Sequence, residues 1–286
     1  MDKVRISGYG LKYWAMCFML CDHTAAFVIR RGVYGAFLSP EGYLDFSAAP
    51  AWLTVVSHIY DVLDVLGHAA FPLFAFLVSE GFLHTRSRKR YLLTLLAAAL
   101  ISEPVYDWAH YGVLWSWQLQ NVLFTLTVSC GLLWGISEIQ RRTQGKARVC
   151  ATAAAIAVAG GLAFLVRGEY VFLGTTAAAL FYLLREKGPW RLAGLLPLMV
   201  ASPWVLLAAP LLLLYSGERG THGWKYFFYV FYPAHFLVLV WIGDLLQKNC
   251  DFLRSGETKR LRESSYKQTD FSKLGKEPSD GEDCAE

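Results

Sequence analysis

Long apolar runs, separated by short polar segments, fill the first 246 residues of the chain. Crossing about 30 Å of hydrocarbon takes roughly 20 mostly apolar residues in a helix. That measure predicts about eight membrane-spanning helices, at 9–29, 63–84, 92–110, 120–138, 149–166, 170–185, 192–215 and 226–246. The expected fold class is all-α and polytopic. The sixth run is short. The seventh holds Pro197, Pro203 and Pro210, so a kinked span or two half-spans are expected there. Residues 32–60 contain Gly, Pro and Trp and are too polar to span, which predicts a long loop at an interface. From about Leu253 onward no apolar period survives, and a disordered tail is expected. The chain thus divides into a transmembrane domain, 1–246, and a charged tail, 247–286.

Composition sharpens the division. Of 286 residues, 55% are hydrophobic and 17% charged, against about 25% charged in soluble domains. The tail holds 8 Lys/Arg and 9 Asp/Glu in its 40 residues. An apolar body of this kind excludes a soluble enzyme, a disulfide scaffold, a fibrous protein and a largely disordered chain. A net charge of +4 gives no argument for nucleic acid. The six cysteines form no CxxC pair, and no Cys/His spacing suggests a metal, so none is expected.

Basic residues orient the spans. Arg86, Arg88, Lys89 and Arg90 crowd one loop, Arg141, Arg142, Lys146 and Arg148 a second, and Arg185, Lys187 and Arg191 a third. With eight spans these loops, the N-terminus and the tail share one side, so both termini are expected in the cytoplasm. The protein is expected to be multi-pass in the inner or plasma membrane.

Ionisable groups inside a bilayer are costly and tend to face a bundle interior or a water-filled cavity. At 1.5 Å per residue they fall into two layers. The outer-middle layer holds Asp22, His23, Asp64, His68, Glu103, Asp107 and His235. The inner layer holds Lys12, Glu80, His84, Arg86 and Arg88. Asp64/His68 and Glu80/His84 are i,i+4 pairs, each sharing a face. Lys12 and His23 are three turns apart on one face, marking two levels of one groove. Such a groove suits a long substrate with phosphates at one end, held by Lys and Arg, and a reactive tip beside a histidine. Coenzyme A has that shape.

Several strings carry a family resemblance: LKYWAMCFMLCDH (11–23), GHAAFPLFAFLVSEGFLHTRSRKRYLLTLLAAALISEPVYD (67–107), NVLFTL (121–126), LLLLYSGERG (211–220) and KYFFYVFYPAHFLVL (225–239). Together they resemble the TraX family of membrane proteins, in order through most of residues 6–245. The resemblance implies a link to conjugal transfer, acetylation of the N-terminus of pilin, and kinship with transmembrane acyltransferases. Lys12-x10-His23 is similar to the Lys/Arg-x10-His pattern of those enzymes, which implies His23 as the acyl-transfer residue.

The reading that results is a membrane acyltransferase using acetyl-CoA as donor substrate, with no tightly bound cofactor. His23, Asp64, His68, Glu103, Asp107 and His235 are the catalytic candidates, with Asp64 or Asp107 expected to orient the His23 ring. Lys12, Glu80, His84, Arg86 and Arg88 are the candidates for the donor phosphates. Asp22, Asn121 and Arg219 are placed on the acceptor side, where the acceptor is a small membrane peptide such as pilin or an envelope glycan. Two rivals use the same residues: a proton-coupled transporter, which the lack of an internal repeat disfavours, and a non-enzymatic assembly factor for a pilus or conjugation complex.

Overall fold

The computed structural model describes residues 5–38, 50–220 and 227–274, with side chains to Phe252. Among them the protein is helical throughout, without named strands. Its α-helices are α1 (Gly8–His23), α2 (Ala51–Gly67), α3 (Ala70–His84), α4 (Arg88–Tyr111), α5 (Val122–Arg142), α6 (Gly145–Leu165), α7 (Val171–Leu183), α8 (Ala209–Leu214) and α9 (Phe227–Leu274). Five stretches are long and apolar enough to cross a membrane: Ala51–His84, Arg88–Tyr111, Val122–Arg142, Gly145–Leu165 and Phe227–Phe252. The chain is a membrane protein, and many large apolar side chains, such as Leu165, Val200 and Trp241, point outward accordingly.

Helix ends are set by local chemistry. Ser7 caps α1, Ser87 caps α4 and Asn121 caps α5, each side-chain oxygen accepting from a backbone amide of the first turn. Gly112, with φ +72°, ends α4 in the left-handed conformation that glycine adopts at little cost. Past His23 the chain stays helical but loosens into a π-helix, Thr24–Val33. Most π-helices are single-turn bulges, often at functional sites, so ten residues are exceptional.

This π-segment meets α9 where both chains are reduced to backbone. A Cβ on Gly32 would lie 2.7 Å from the Gly243 carbonyl oxygen, and one on Gly243 would overlap the Phe27 carbonyl oxygen. Beside this contact the Arg31 guanidinium pairs with Asp244 at 3.1 Å and donates to the Ala109 carbonyl at 2.8 Å. At the opposite end of the bundle, Gly8 and Tyr9 amides donate to the Glu218 and Arg219 carbonyls, and the Tyr13 ring lies 5.7 Å from Phe228. The first and last long helices therefore run parallel.

That direction corrects the expected topology, since the first and last of eight alternating spans would be antiparallel. The difference lies in residues 188–214. They form short 3₁₀ segments, Gly188–Leu195, Leu198–Val200 and Pro203–Ala208, followed by α8. This segment begins beside the end of α7 and returns to the same end of the bundle, where Arg191 reaches the Leu213 carbonyl and Tyr215 donates to Glu80. It is a re-entrant hairpin. Pro189, Pro197, Pro203 and Pro210 remove amide donors too often for an α-helix to persist. Among the described residues, helical passes between the two ends are made by α1 with its π-segment, by α2 with α3, and by α4, α5, α6, α7 and α9.

Two further expectations are corrected. The loop foreseen over 32–60 is helical from Ala51, because 51–66 lacks Gly and Pro and Leu53 packs on Ile29, Val33 and Tyr34; residues 39–49 lie outside the described residues. The tail expected to be disordered continues α9 to Leu274, so the helix crosses the boundary at 246 unbroken. Between Gly256 and Gly275 the sequence contains no Gly or Pro and is rich in helix-forming Lys, Arg and Glu. The last residues, 275–286, lie outside the described residues.

The close approach at Gly243 yields a stability test. Gly243→Val is expected to cost about 2 kcal/mol or more, since the added atoms meet a carbonyl that cannot retreat. Gly161→Ala, where a Cβ meets nothing within 4 Å, is expected to be neutral or slightly stabilising. Thermal unfolding in detergent compares the two.

Candidate functional site

His23 is the last residue of α1 and His235 lies on α9, 212 positions away. Their parallel course brings His23 Nδ1 to 2.5 Å from His235 Nε2. The ring planes differ by 13° and the centroids are 4.8 Å apart. Nitrogens so much closer than centroids mean that the rings meet edge to edge, nearly coplanar, in an in-plane hydrogen bond.

The direction of that bond follows from its surroundings. His235 Nδ1 lies 3.1 Å from the Phe231 carbonyl oxygen, which can only accept. His235 therefore donates through Nδ1, and in the neutral ring its Nε2 is left as an acceptor. His23 must then donate from Nδ1, which leaves the lone pair of His23 on Nε2. Asp22 Oδ2 is 3.5 Å from that nitrogen. Phe231 stacks on His235 at 5.2 Å and 4°, and Phe236 lies 4.6 Å from His23, fixing both rings.

The result is a base with a set tautomer, oriented by a second group, as in the triads of hydrolases. It corrects the expectation that Asp64 or Asp107 orients His23. Asp107 Oδ2 accepts from the Ser116 amide at 2.6 Å, and Asp64 lies beside His68 at 4.0 Å. Asp22, although next to His23 in sequence, is its nearest carboxylate.

The other candidates of this layer divide. Asp64 and His68 come within electrostatic range of Asp22, at the break between α2 and α3, where Gly67 packs against Asp22 with a would-be Cβ 2.6 Å from the Asp22 Cβ. Glu103 and Asn121 form a structural knot. Glu103 Oε2 accepts from the Asn121 amide at 3.1 Å and from its Nδ2 at 2.5 Å, while that Nδ2 also donates to the Ala99 carbonyl. Glu103 and Asp107 are both fully buried, and Glu103 Oε1 and Asp107 Oδ1 have no partner among the described residues.

Three site residues escaped the sequence. His110, on α4, enters the aromatic cluster 5.0 Å from Phe27 and within electrostatic range of His23. Tyr106 donates to Glu169 Oε1 at 2.7 Å. Glu169 itself lies in the tight loop between α6 and α7, within electrostatic range of Asp22 and Glu103. The only signal for it was a glutamate in a connection too short to leave the bundle.

At the other level, Lys12 lies 5.1 Å from the Tyr9 and Phe228 ring centroids and near Arg219. Arg219 was expected on the acceptor side. The re-entrant hairpin returns its loop to the N-terminus of α1, so it belongs with Lys12. Glu80 accepts from Tyr215 at 2.7 Å, and His84 Nδ1 donates to the Glu80 carbonyl at 2.8 Å. Arg88 is turned toward α5, donating to Ser137 at 2.8 Å with Glu138 3.9 Å away. The structure does not bring Arg88 to Lys12, and Arg86 makes no described contact. Among the described residues no group of three or more His, Cys, Asp or Glu could hold a metal ion.

Comparisons with known proteins add a family. A sequence-family model described as TraX protein matches residues 7–243, which include His23, Glu169 and His235. A protein of Dichelobacter nodosus described as probable fimbrial assembly protein FimC, serogroup H1, is 29% identical over 257 residues, covering 83% of this chain and 96% of its own length. No solved structure matches the chain.

The Glu103–Asn121 knot carries its own expectation. Asn121→Ala removes the cap of α5 and strips Glu103 of a donor, with an expected cost of about 2–4 kcal/mol. Asn121→Asp retains the cap oxygen but faces a carboxylate with another, so it is expected to fare no better below the membrane protein's usual unfolding temperature. Urea or thermal denaturation in detergent measures both.

Proposed function

The chain belongs to the TraX family, and on that premise we propose that it is an integral-membrane acyltransferase moving an acetyl group from acetyl-CoA to an amine or hydroxyl acceptor, foremost the N-terminus of a pilin-like membrane peptide. The observation that carries the reading is the coplanar His23–His235 pair, which leaves a bare, oriented His23 Nε2 in a buried carboxylate-rich layer.

In this reading the donor enters from the Lys12 end. Lys12 and Arg219 supply positive charge for its phosphates, and Glu80 holds Tyr215 in place beside them. Arg86 and Arg88 add to the field that attracts it. Eleven residues of α1 separate Lys12 from His23, about 16 Å along the axis, a distance for the flexible arm of the donor to span. At the His23 level the acceptor nitrogen or oxygen attacks the thioester carbonyl. Its proton passes to His23 Nε2 while His23 Nδ1–H stays bonded to His235, which steadies the imidazolium. The tetrahedral intermediate collapses, the C–S bond breaks, and the thiolate takes the proton from His23.

The relative's description as a fimbrial assembly protein favours a cellular role in building a pilus, and also a second reading, assembly without catalysis. Transfer of acetyl from labelled acetyl-CoA to an N-terminal amine separates them. His23→Ala is expected to lose about 10²–10⁴-fold in rate while remaining folded and inserted. His235→Gln, whose amide oxygen can accept from His23 Nδ1, is expected to lose less than His235→Leu. Full activity in His23→Ala would sink the catalytic reading, and an unchanged pilus phenotype in that variant would favour the second.

The membrane is proposed to be the cytoplasmic membrane, with the Lys12 end inside. The loops at 85–91, 139–148 and 185–191 lie at that end, and only Arg30, Arg31 and Arg167 mark the other outside the tail. Parallel α1 and α9 then put the N-terminus inside and the tail outside. Reporters active on one side only, fused to either terminus, are expected to report opposite sides; a cytoplasmic signal from both would refute the parallel arrangement.

A further inference from the structure

The loop that carries Glu169 is strained and tightly held. Arg167, Tyr170 and Val171 all have positive φ, at 56°, 58° and 32°. For a β-branched residue such as Val171 this is a genuine outlier, and residues in such regions cost about 1–3 kcal/mol each and cluster at functional sites. The loop is pinned from every neighbour. Gln120 N–H donates to the Arg167 carbonyl at 2.8 Å, Arg167 Nη1 donates to the Trp117 carbonyl at 2.8 Å, and the Thr125 hydroxyl donates to the Glu169 carbonyl. Tyr170 stacks flat on Phe71, with centroids 3.9 Å apart. All of this orients one side chain inward, that of Glu169.

Its surroundings are acidic. Asp22 from α1 and Glu103 from α4 lie within electrostatic range of it, with Tyr106 and Tyr111 of α4, Tyr170 of its own loop and Tyr232 of α9. Glu103 is fully buried, and its Oε1 has no partner among the described residues. Tyr106 occupies Glu169 Oε1, and no described donor reaches Oε2. Three carboxylates, Asp22, Glu103 and Glu169, thus gather here, with Glu169 Oε2 free of any described donor.

An amine acceptor poses a problem that His23 alone does not solve. Free α-amines have pKa values near 7.7–8.0, so most arrive protonated at neutral pH and cannot attack. We propose that Glu169 is a catalytic residue that takes the surplus proton from a charged amine acceptor before His23 acts, an inference that rests on the acyl-transfer reading above. One N–H bond of the ammonium breaks, its electron pair stays on nitrogen, and the proton forms an O–H bond at Glu169 Oε2. The neutral amine then attacks the thioester, and its second proton goes to His23. Burial, with the charges of Asp22 and Glu103 opposing the hydrogen bond from Tyr106, pushes the Glu169 carboxyl up to about 7. A group of that strength can both take and release a proton at the working pH. Asp22 and Glu103 beside it favour a cation at this position.

Two measurements on the full chain in nanodiscs test this. Infrared difference titration of the wild type is expected to show a carboxylic-acid band that titrates near neutrality and is absent from Glu169→Gln. A band unchanged in that variant would overturn the proposal. With an N-terminal amine as acceptor, Glu169→Gln is expected to lower kcat/KM about 10–30-fold near pH 6.5, where roughly one amine in 20–30 is already neutral, and by no more than about threefold near pH 9, where nearly all of it is. Glu169→Asp is expected to fall between. Equal losses at both pH values would mark a structural role and overturn the step. A wild type that transfers no acyl group overturns the acyl-transfer reading and the step with it, whereas normal wild-type transfer with an unaltered Glu169→Gln overturns the step alone.

Discussion

The architecture hangs on one backbone-to-backbone contact, that of Gly243 with Phe27 and Gly32. Helices approach this closely only where no side chain intervenes, and in a bilayer small residues are the usual means, because lipid offers no hydrophobic drive to bring helices together. The contact draws α9 against the π-segment. The loosened helical winding there, the Arg31–Asp244 pair and the aromatic cluster around Phe236 all follow the same line. Because this contact fixes the axial position of α9 against α1, it also decides which residue of α9 stands opposite His23.

Much of this was legible in the chain. Span positions for α4, α5 and α6 match the apolar runs closely, since in lipid a helix must satisfy its own backbone and so its length shows in the hydropathy. The ionisable layer around His23 was legible for the same reason: charge in apolar surroundings is rare and stands out. The re-entrant segment was not. Its apolar length satisfies the same measure as a span, and hydropathy does not register whether a chain turns back halfway. The prolines were the signal, and their consequence was underread. Because this segment turns back, α9 runs parallel to α1 and Arg219 lies at the Lys12 end.

Side-chain partnership was the least legible level. His23 and His235 were both visible as candidates, yet nothing in a single sequence pairs positions so far apart. Adjacent residues on an α-helix point about 100° apart, which would hold Asp22 away from His23, but the chain leaves α-geometry immediately after His23 and the two side chains approach to 3.5 Å. Glu103 and Asn121, both candidates on chemistry, bond each other and so hold the start of α5 on α4. Glu169 was hidden because a short polar connection between two spans is ordinarily solvent-facing, and only the strained backbone reveals that it is not.

The His23–His235 pair joins two helices whose contacting residues are 212 positions apart. The contact closes a loop of more than two hundred residues, and the chain entropy of such a closure is offset only when the intervening helices are already in place. During synthesis His23 is made 212 residues before His235, and its imidazole waits for that partner while the helices between them are added. No chain ending before α9 can form the pair. The pair therefore forms late, after the helices between its two members have gathered.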